Sequence, residues 1–326
     1  MLKSMMALVA GAVLALSATA AAAAAQESRT LRIGLVVPPN QQWTVSAQKF
    51  GEELAAATNK RLTVAVFPSS QLGSEAQMIQ QLQAGSLDMA WLTTAELSNR
   101  VPELAALHAP FLVRDVAQAR DVLESPIAAR ILEKFQAAIG AEGLGYGMTG
   151  LRQMVMRERA SSLDDIKGKK IRVIPSAPAR DFYELLGAAP TPIPFAAVYD
   201  AFANGQVDGI DMDYEATFYN KYYQLARTML VTNHVMAPMA AAFSTKVWRT
   251  LSEADRTLIR QLVDRQMKVI RDGFVENEAA YAKRLVERNV VMKPLPREEF
   301  AEVIAAWDAK WEGRAPDLKA LRDFTR

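Results

Sequence analysis

Apolar and polar positions alternate along this chain in two distinct rhythms. "LRIGLVVPP", Leu31–Pro39, is an apolar run broken only by Arg32 and stopped by two prolines, as expected of a buried strand. From Thr44 to Thr58 the apolar residues Val45, Ala47, Phe50 and Leu54 recur at helical spacing. Leu62–Pro68 reads as a second strand, and Ser74–Gln83 as a helix with Ser74 as N-cap and Gly85 just past its end. "DMAWL", from Asp88, reads as a third strand. The alternation restarts with the strand "KKIRVIP" (Lys169–Pro175), a helix over Ser176–Gly187 and a Pro-bounded edge segment, "PTPIPF". A helix over Phe195–Asn204 and the strand "VDGID" complete it. Strands alternating with helices predict an α/β fold with largely parallel sheets.

Two junctions repeat one another. Leu82-Gln83-Ala84-Gly85-Ser86-Leu87-Asp88 and Phe202-Ala203-Asn204-Gly205-Gln206-Val207-Asp208 each end a helix at Gly and open a strand with an apolar residue and an Asp. The repeat implies two lobes of similar design, with Asp88 and Asp208 in one architectural slot. Beyond "HVMAPMAAAFSTKVW", which is strand-like, a helical pattern runs from the N-cap Ser252 to about Arg288. A helix of that length suits a tie across both lobes. Pro294 and Pro296 end it, and a last helix, Arg297–Trp311, precedes a polar tail.

Composition narrows the function classes. Lys3, the apolar run Met5–Leu16 and the small residues Ala18–Ala25 form a signal peptide, too short to span a membrane, so the mature chain is expected in the periplasm without a lipid anchor or membrane insertion. The absence of cysteine excludes disulfides and thiolate chemistry. A net charge of +2 with no basic run argues against nucleic-acid partners. His108 and His234 have no acid beside them at ligand spacing, and no hydrolase or phosphate-loop motif occurs. "GLGYG", Gly143–Gly147, is only a fragment of a dinucleotide fingerprint, and no cofactor is implied.

Arg172 is the most informative residue. It lies inside the apolar run Ile171–Ile174, near the C-terminal end of its strand, where open α/β sheets bind ligands. A buried guanidinium needs a partner. It is either a structural ion pair with an acid of the other lobe or a clamp for a ligand carboxylate. Arg152 shares its setting, a basic residue in the apolar segment "TGLRQMVM".

With these residues in view, the sequence resembles the solute-binding proteins of tripartite ATP-independent periplasmic (TRAP) transporters, DctP type. "FPSSQLGSE", "QLQAGSLDMA", "GLRQMVM", "LDDIKGKKIRV" and "LGAAPTPIPFAAVYDAFANGQVDG" are similar to that family's signatures, in order, across nearly the whole mature chain. The resemblance implies a two-lobed periplasmic binding protein fold with a hinge, a cleft between the lobes and a long helix spanning both. It implies capture of a small organic acid, delivered to membrane permease subunits, with Arg172 gripping the carboxylate, Arg152 assisting and Phe195 in the pocket wall. The expected lobes are residues 26–149 with about 238–277, and 150–237 with about 278–326; a monomer is expected.

The chain departs from the family after V-D-G, where Q-E-N-P is usual and Ile210-Asp211-Met212-Asp213 stands here. Met212 falls at the ligand-contacting Asn. Asp213 is either a ligand acceptor or the N-cap of a helix beginning at Tyr214. By the internal repeat, Trp91 matches Asp211 and Thr93 matches Asp213, so Trp91 is expected as an apolar cleft wall and Thr93 beside it. Side-chain directions at Val36, Trp43, Trp91 and Met212 set the pocket size. Two rivals remain: a metal held by Asp211 and Asp213, and an exported hydrolase or lyase using Asp211 and Asp213 as acid and base.

Overall fold

The computed structural model describes residues 28–326, so the signal peptide expected over residues 1–25 lies outside the described residues. In chain order the elements that build the site are β1 (Arg29–Gly34), α1 (Gln42–Ala57), β2 (Leu62–Phe67), α2 (Glu75–Ala84), β3 (Met89–Thr93), α3 (Thr94–Leu97), β4 (Ala141–Met148) and β5 (Gln153–Met156). They continue with β6 (Lys170–Val173), α4 (Ala177–Leu185), β7 (Ala189–Pro192), α5 (Val198–Ala203), β8 (Gly209–Met212), α6 (Tyr214–Tyr219), β9 (Thr228–Val231) and β10 (Pro238–Ser244). The chain closes with α7 (Glu253–Val286), β11 (Val291–Pro294), α8 (Ala301–Trp311) and α9 (Leu318–Phe324).

The strands form two sheets, ordered β2-β1-β3-β10-β4 and β7-β6-β8-β5-β9-β11. In each, three strands pair in parallel: β1 with β2 and β3, and β6 with β7 and β8. The fourth strand is antiparallel in both, and it crosses over from the other half: β10 beside β3, β5 beside β8. The chain therefore passes between the lobes after β4 and again before β10.

The repeat is a physical one. Ile33 is in register with Met89, and Ile171 with Gly209. One residue earlier, the Arg32 N–H donates to Asp88 Oδ2 at 2.9 Å, and the Lys170 N–H donates to Asp208 Oδ2 at 2.8 Å. Each carboxylate thus extends the ladder past the point where backbone pairing of the parallel strands begins. Gly85 and Gly205, both at positive φ (79° and 72°), make the turns that aim these strands. The glycines of "GLGYG" have a different use. They lie in β4 beneath α7, where a Cβ on Gly145 would come within 3.2 Å of Met267 and one on Gly147 within 3.1 Å of Ile270.

Helix α7 begins at the Ser252 N-cap, whose hydroxyl accepts the Asp255 N–H at 3.1 Å. Its first half buries Ile259, Val263, Met267 and Ile270 with the core of the first lobe, and Leu285 joins the core of the second. One continuous helix therefore ties the lobes together, as the hydrophobic pattern requires. The tail read as polar forms α9, because Leu318 and Leu321, three residues apart on one helix face, are buried.

Truncating the two repeat carboxylates should have unequal effects. Asp88 is 7% exposed and also pairs with Arg29 at 2.7 Å, whereas the Asp208 bond faces solvent. Asp88→Ala should cost about 1–3 kcal/mol and Asp208→Ala about 0.5–1.5 kcal/mol, by denaturant unfolding. Equal small losses at both sites would contradict the assigned role of Asp88.

Candidate functional site

The C-terminal ends of β1, β3, β6 and β8 converge on a cavity of about 410 Å³ between the lobes. Chain leaving β1 supplies Val36 and Val37, and chain leaving β6 supplies Ile174 and Pro175. The ends of β3 and β8 supply Thr93 and Met212–Asp213. This is the crevice where open α/β sheets accept ligands. Hydrogen bonds between the lobes flank the cavity: Asn99 Nδ2 donates to the Pro175 carbonyl at 2.7 Å, and Gln41 Nε2 to Glu215 Oε2 at 3.2 Å. The lobes are closed upon one another.

Arg172 lines the cavity and is 1% exposed. Its Nε donates to the Ile193 carbonyl at 2.9 Å, while Nη1, fully buried, has no hydrogen-bond partner. Among the described residues it forms no ion pair, although Asp211 and Glu75 favour its charge. Burial lowers its pKa to about 10, which leaves it a cation at neutral pH. The structural ion pair that the sequence leaves open for Arg172 is not made.

Arg152 is the other cation of the cavity, and its situation is opposite. Its Nη1 lies 3.2 Å from Asp213 Oδ2 and 3.4 Å from the Met212 sulfur, and its Nε lies 3.5 Å from Asp211 Oδ1. Asp213 is also the N-cap of α6, accepting the Ala216 N–H at 2.8 Å. Asp213 is thus the N-cap of the two readings, and it also lines the cavity with Arg152 on it. Burial raises its pKa, against the opposing pull of Arg152.

Behind this layer, Asp211 Oδ2 accepts hydrogen bonds from the Tyr183 hydroxyl at 3.1 Å and His234 Nε2 at 3.0 Å. His234 Nδ1 meets Thr232 Oγ1 at 2.7 Å, and its ring stacks on Phe182. Burial pushes the Asp211 carboxyl up, but the His234 hydrogen bond, with the charges of His234, Arg152 and Arg172, holds it below its usual value. His234 lies 23 residues from Asp211, so no local spacing could have revealed the pair.

The first lobe contributes acids. Glu75, the first residue of α2, accepts the Thr93 N–H and, at 2.9 Å, the Thr93 hydroxyl. Burial raises its pKa to about 7. Glu96, on α3 and also lining the cavity, is raised by burial against the pull of Arg100. Burial with the nearby Asp213 pushes Glu215 to about 8.

Arg172, Arg152, Met212, Asp213, Phe195 and Thr93 line one cavity. Trp91 does not, which corrects its reading as a cleft wall. It is fully buried in β3 opposite Ala241, two residues before Thr93 and therefore about 7 Å deeper along the strand. The indole in the wall is that of Trp43, held by an Nε1 bond to the Met148 carbonyl at 2.9 Å. Glu75, Glu96 and Asn99 were not singled out by the sequence, where they read as ordinary polar residues of helix ends. The catalytic reading of Asp211 and Asp213 finds no support in this arrangement. Among the described residues no group of three or more His, Asp or Glu could hold a metal. Asp211 sits beneath Arg152, one pleat below Asp213, with its oxygens on His234, Tyr183 and Arg152, so the two carboxylates do not face a common substrate as acid and base.

Among the described residues no helix is long and apolar enough to cross a membrane. The family model of DctP, described as bacterial extracellular solute-binding protein, family 7, matches residues 33–315. A TRAP periplasmic solute-binding protein from Bradyrhizobium sp. BTAi1, solved with α/β-D-galacturonate, is 34% identical, covers 91% of this chain and 99% of its own, and superposes with a TM-score of 0.85. The sugar acid binding protein from Advenella mimigardefordensis, solved with galactonate, is 26% identical over 92% of this chain and 98% of its own, with a TM-score of 0.88. The sialic acid-binding periplasmic protein of Vibrio cholerae is 27% identical over 77% of this chain and 78% of its own length. These relatives are receptors rather than enzymes, and the hydrolase or lyase reading finds no support among them. The chain belongs to family 7 of the bacterial extracellular solute-binding proteins, the DctP-type receptors of TRAP transporters.

Proposed function

We propose that this receptor captures a hydroxylated monocarboxylate of sugar-acid size in the periplasm, with Arg172 gripping the carboxylate, and passes it to membrane permease subunits. The observation that carries this reading is the buried guanidinium of Arg172, which has an unpartnered Nη1 and no ion pair. Burying a cation without a counter-charge costs several kcal/mol, so a ligand carboxylate meeting it across the fork gains charge-assisted bonds in a medium that screens little. Arg152 is already engaged by Asp211 and Asp213, so it assists by holding Met212 and Asp213 against the ligand. Thr93, Glu75, Glu96 and Asn99 offer hydroxyl partners at the opposite side, while Trp43, Phe195 and Ile174 supply apolar wall. The sugar acids bound by the Bradyrhizobium and Advenella proteins support this class.

In this reading the protein is exported by a signal peptide over residues 1–25 and works as a monomer. Its lobes are residues 26–149 with about 238–277 and residues 150–237 with about 278–326. Strand membership supports the crossings near 149 and 238. Ligand bridging the lobes favours the closed form, since only there is the contact removed from water.

Arg172→Ala should weaken binding of D-galactonate or D-galacturonate about a hundredfold or more by calorimetry, two charge-assisted bonds being lost. Arg172→Met should leave the ligand-free protein about as stable as the parent, because no ion pair is broken and a buried cation is removed, against the loss of one donor to the Ile193 carbonyl. Undiminished binding by Arg172→Ala would overturn the clamp, and a large loss of ligand-free stability in Arg172→Met would return Arg172 to a structural role.

A second outcome concerns pH. Glu75 titrates near 7 in the cavity, and an anionic ligand pushes it further up, so binding takes up a proton once Glu75 is ionised. Affinity should be full below about pH 6 and fall as pH rises through 7, and Glu75→Gln should flatten the profile. Equal affinity of the parent at pH 6 and pH 8 would refute this.

A further inference from the structure

Helix α1 begins without the groups that usually finish a helix start. Its N-cap position is Gln41, whose side chain does not cap it, and its first turn contains no acid. The first N–H groups of a helix need an acceptor, and its positive end favours a carboxylate. That carboxylate comes from the opposite lobe. Glu215 of α6, 2% exposed, accepts the Gln42 N–H at 3.4 Å through Oε1 and the Gln41 Nε2 at 3.2 Å through Oε2. The bond from Nε2 fixes which way the Gln41 amide faces. Its Oε1 is buried, has no partner, and belongs to a residue that lines the cavity and is 1% exposed.

We infer that Gln41 and Glu215 form a clasp between the lobes that a hydroxylated ligand completes: a ligand hydroxyl donates to Gln41 Oε1 while Gln41 Nε2 and the Gln42 N–H hold Glu215. The inference rests on the carboxylate-receptor reading above and adds a specificity-determining residue to it. In the open form Glu215 leaves α1, whose start then has only water to cap it. Closure supplies the cap from across the cleft, and it buries Gln41 Oε1 at the same moment. A buried acceptor with no donor is costly, so an acid with a hydroxyl at that point stabilises the closed form and an acid without one leaves the cost in place. The amide therefore lets the closing motion itself discriminate between ligands. Asn99, an exposed residue, secures the other flank by donating to the Pro175 carbonyl.

The test uses two acids, D-galactonate and hexanoate, with affinities by calorimetry and release rates by stopped flow. At pH 9, where Glu215 is ionised, Glu215→Ala should speed release of both acids roughly tenfold, and Glu215→Gln, which keeps an acceptor but not the charge, should lie between it and the parent. Gln41→Ala should weaken D-galactonate about tenfold more than it weakens hexanoate. Unchanged release rates in both Glu215 variants overturn the clasp, and equal weakening of the two acids by Gln41→Ala overturns the role of the ligand hydroxyl. Arg172→Ala separates the two levels of argument. If hexanoate binds through Arg172 but D-galactonate does not bind, the hydroxyl inference fails and the carboxylate reading stands. If both acids bind undiminished without Arg172, the carboxylate reading fails and this inference falls with it.

Discussion

A buried cation held without a direct ion pair organises this molecule. Arg172 is fully buried, with one nitrogen on a carbonyl and another on nothing. Taken alone, that arrangement is a defect in the fold, because a core side chain of similar volume would be more stable there. It persists because the surrounding parts confine it. Four strand ends point at one crevice, the flanking interlobe bonds hold the lobes together over it, and the nearby carboxylates among the described residues are turned to other tasks. Asp213 faces Arg152 and the start of α6, Asp211 faces His234 and Tyr183, and Glu75 holds Thr93. Any of these carboxylates, if free to reach Arg172, would close the site by an internal ion pair. The layered network of Arg152, Asp211 and His234 is thus more than scaffolding, since it keeps the acids of the second lobe away from the guanidinium.

Much of this was legible in the chain. Hydrophobic rhythm located the strands and the 34-residue helix, because those elements bury a face large enough to dominate local propensity. The Gly and Asp punctuation revealed the repeat, since a left-handed turn and a ladder-extending carboxylate each admit few residue types. Arg172 stood out because a charge inside an apolar run has few explanations. What the chain could not disclose was depth. Trp91 and Thr93 lie on one face of β3, yet two residues separate a core indole from a cavity hydroxyl, and no pattern in the sequence states where the strand ends and the crevice begins. Pairings across long separations were equally hidden. His234 with Asp211 and Gln41 with Glu215 depend on how the lobes are threaded and closed, which no spacing encodes.

The repeat also explains how a nearly symmetric frame makes a directional site. In the shared register, Gly34 stands opposite Ala90 in the first lobe and Arg172 opposite Ile210 in the second, so glycine and arginine occupy one architectural slot. Three positions past Ala90 and Ile210, Thr93 and Asp213 are each the N-cap of the following short helix, accepting from Glu96 and Ala216 respectively. The caps are equivalent as structure and opposite as chemistry. Thr93 is neutral, so the first lobe can place Glu75 and Glu96 around it; Asp213 is an acid, so the second lobe must place Arg152 upon it. The consequence is a cation on one wall and protonatable carboxyls on the other, across an apolar gap walled by Trp43 and Phe195. In the proposed reading, a ligand with a carboxylate at one end and hydroxyls along the rest fits in one orientation only. The reverse orientation would set its carboxylate against Glu75 and leave Arg172 facing hydroxyls. The shared register supplies the frame, and the different residues at a few strand ends supply the polarity that the proposed receptor for an asymmetric acid requires.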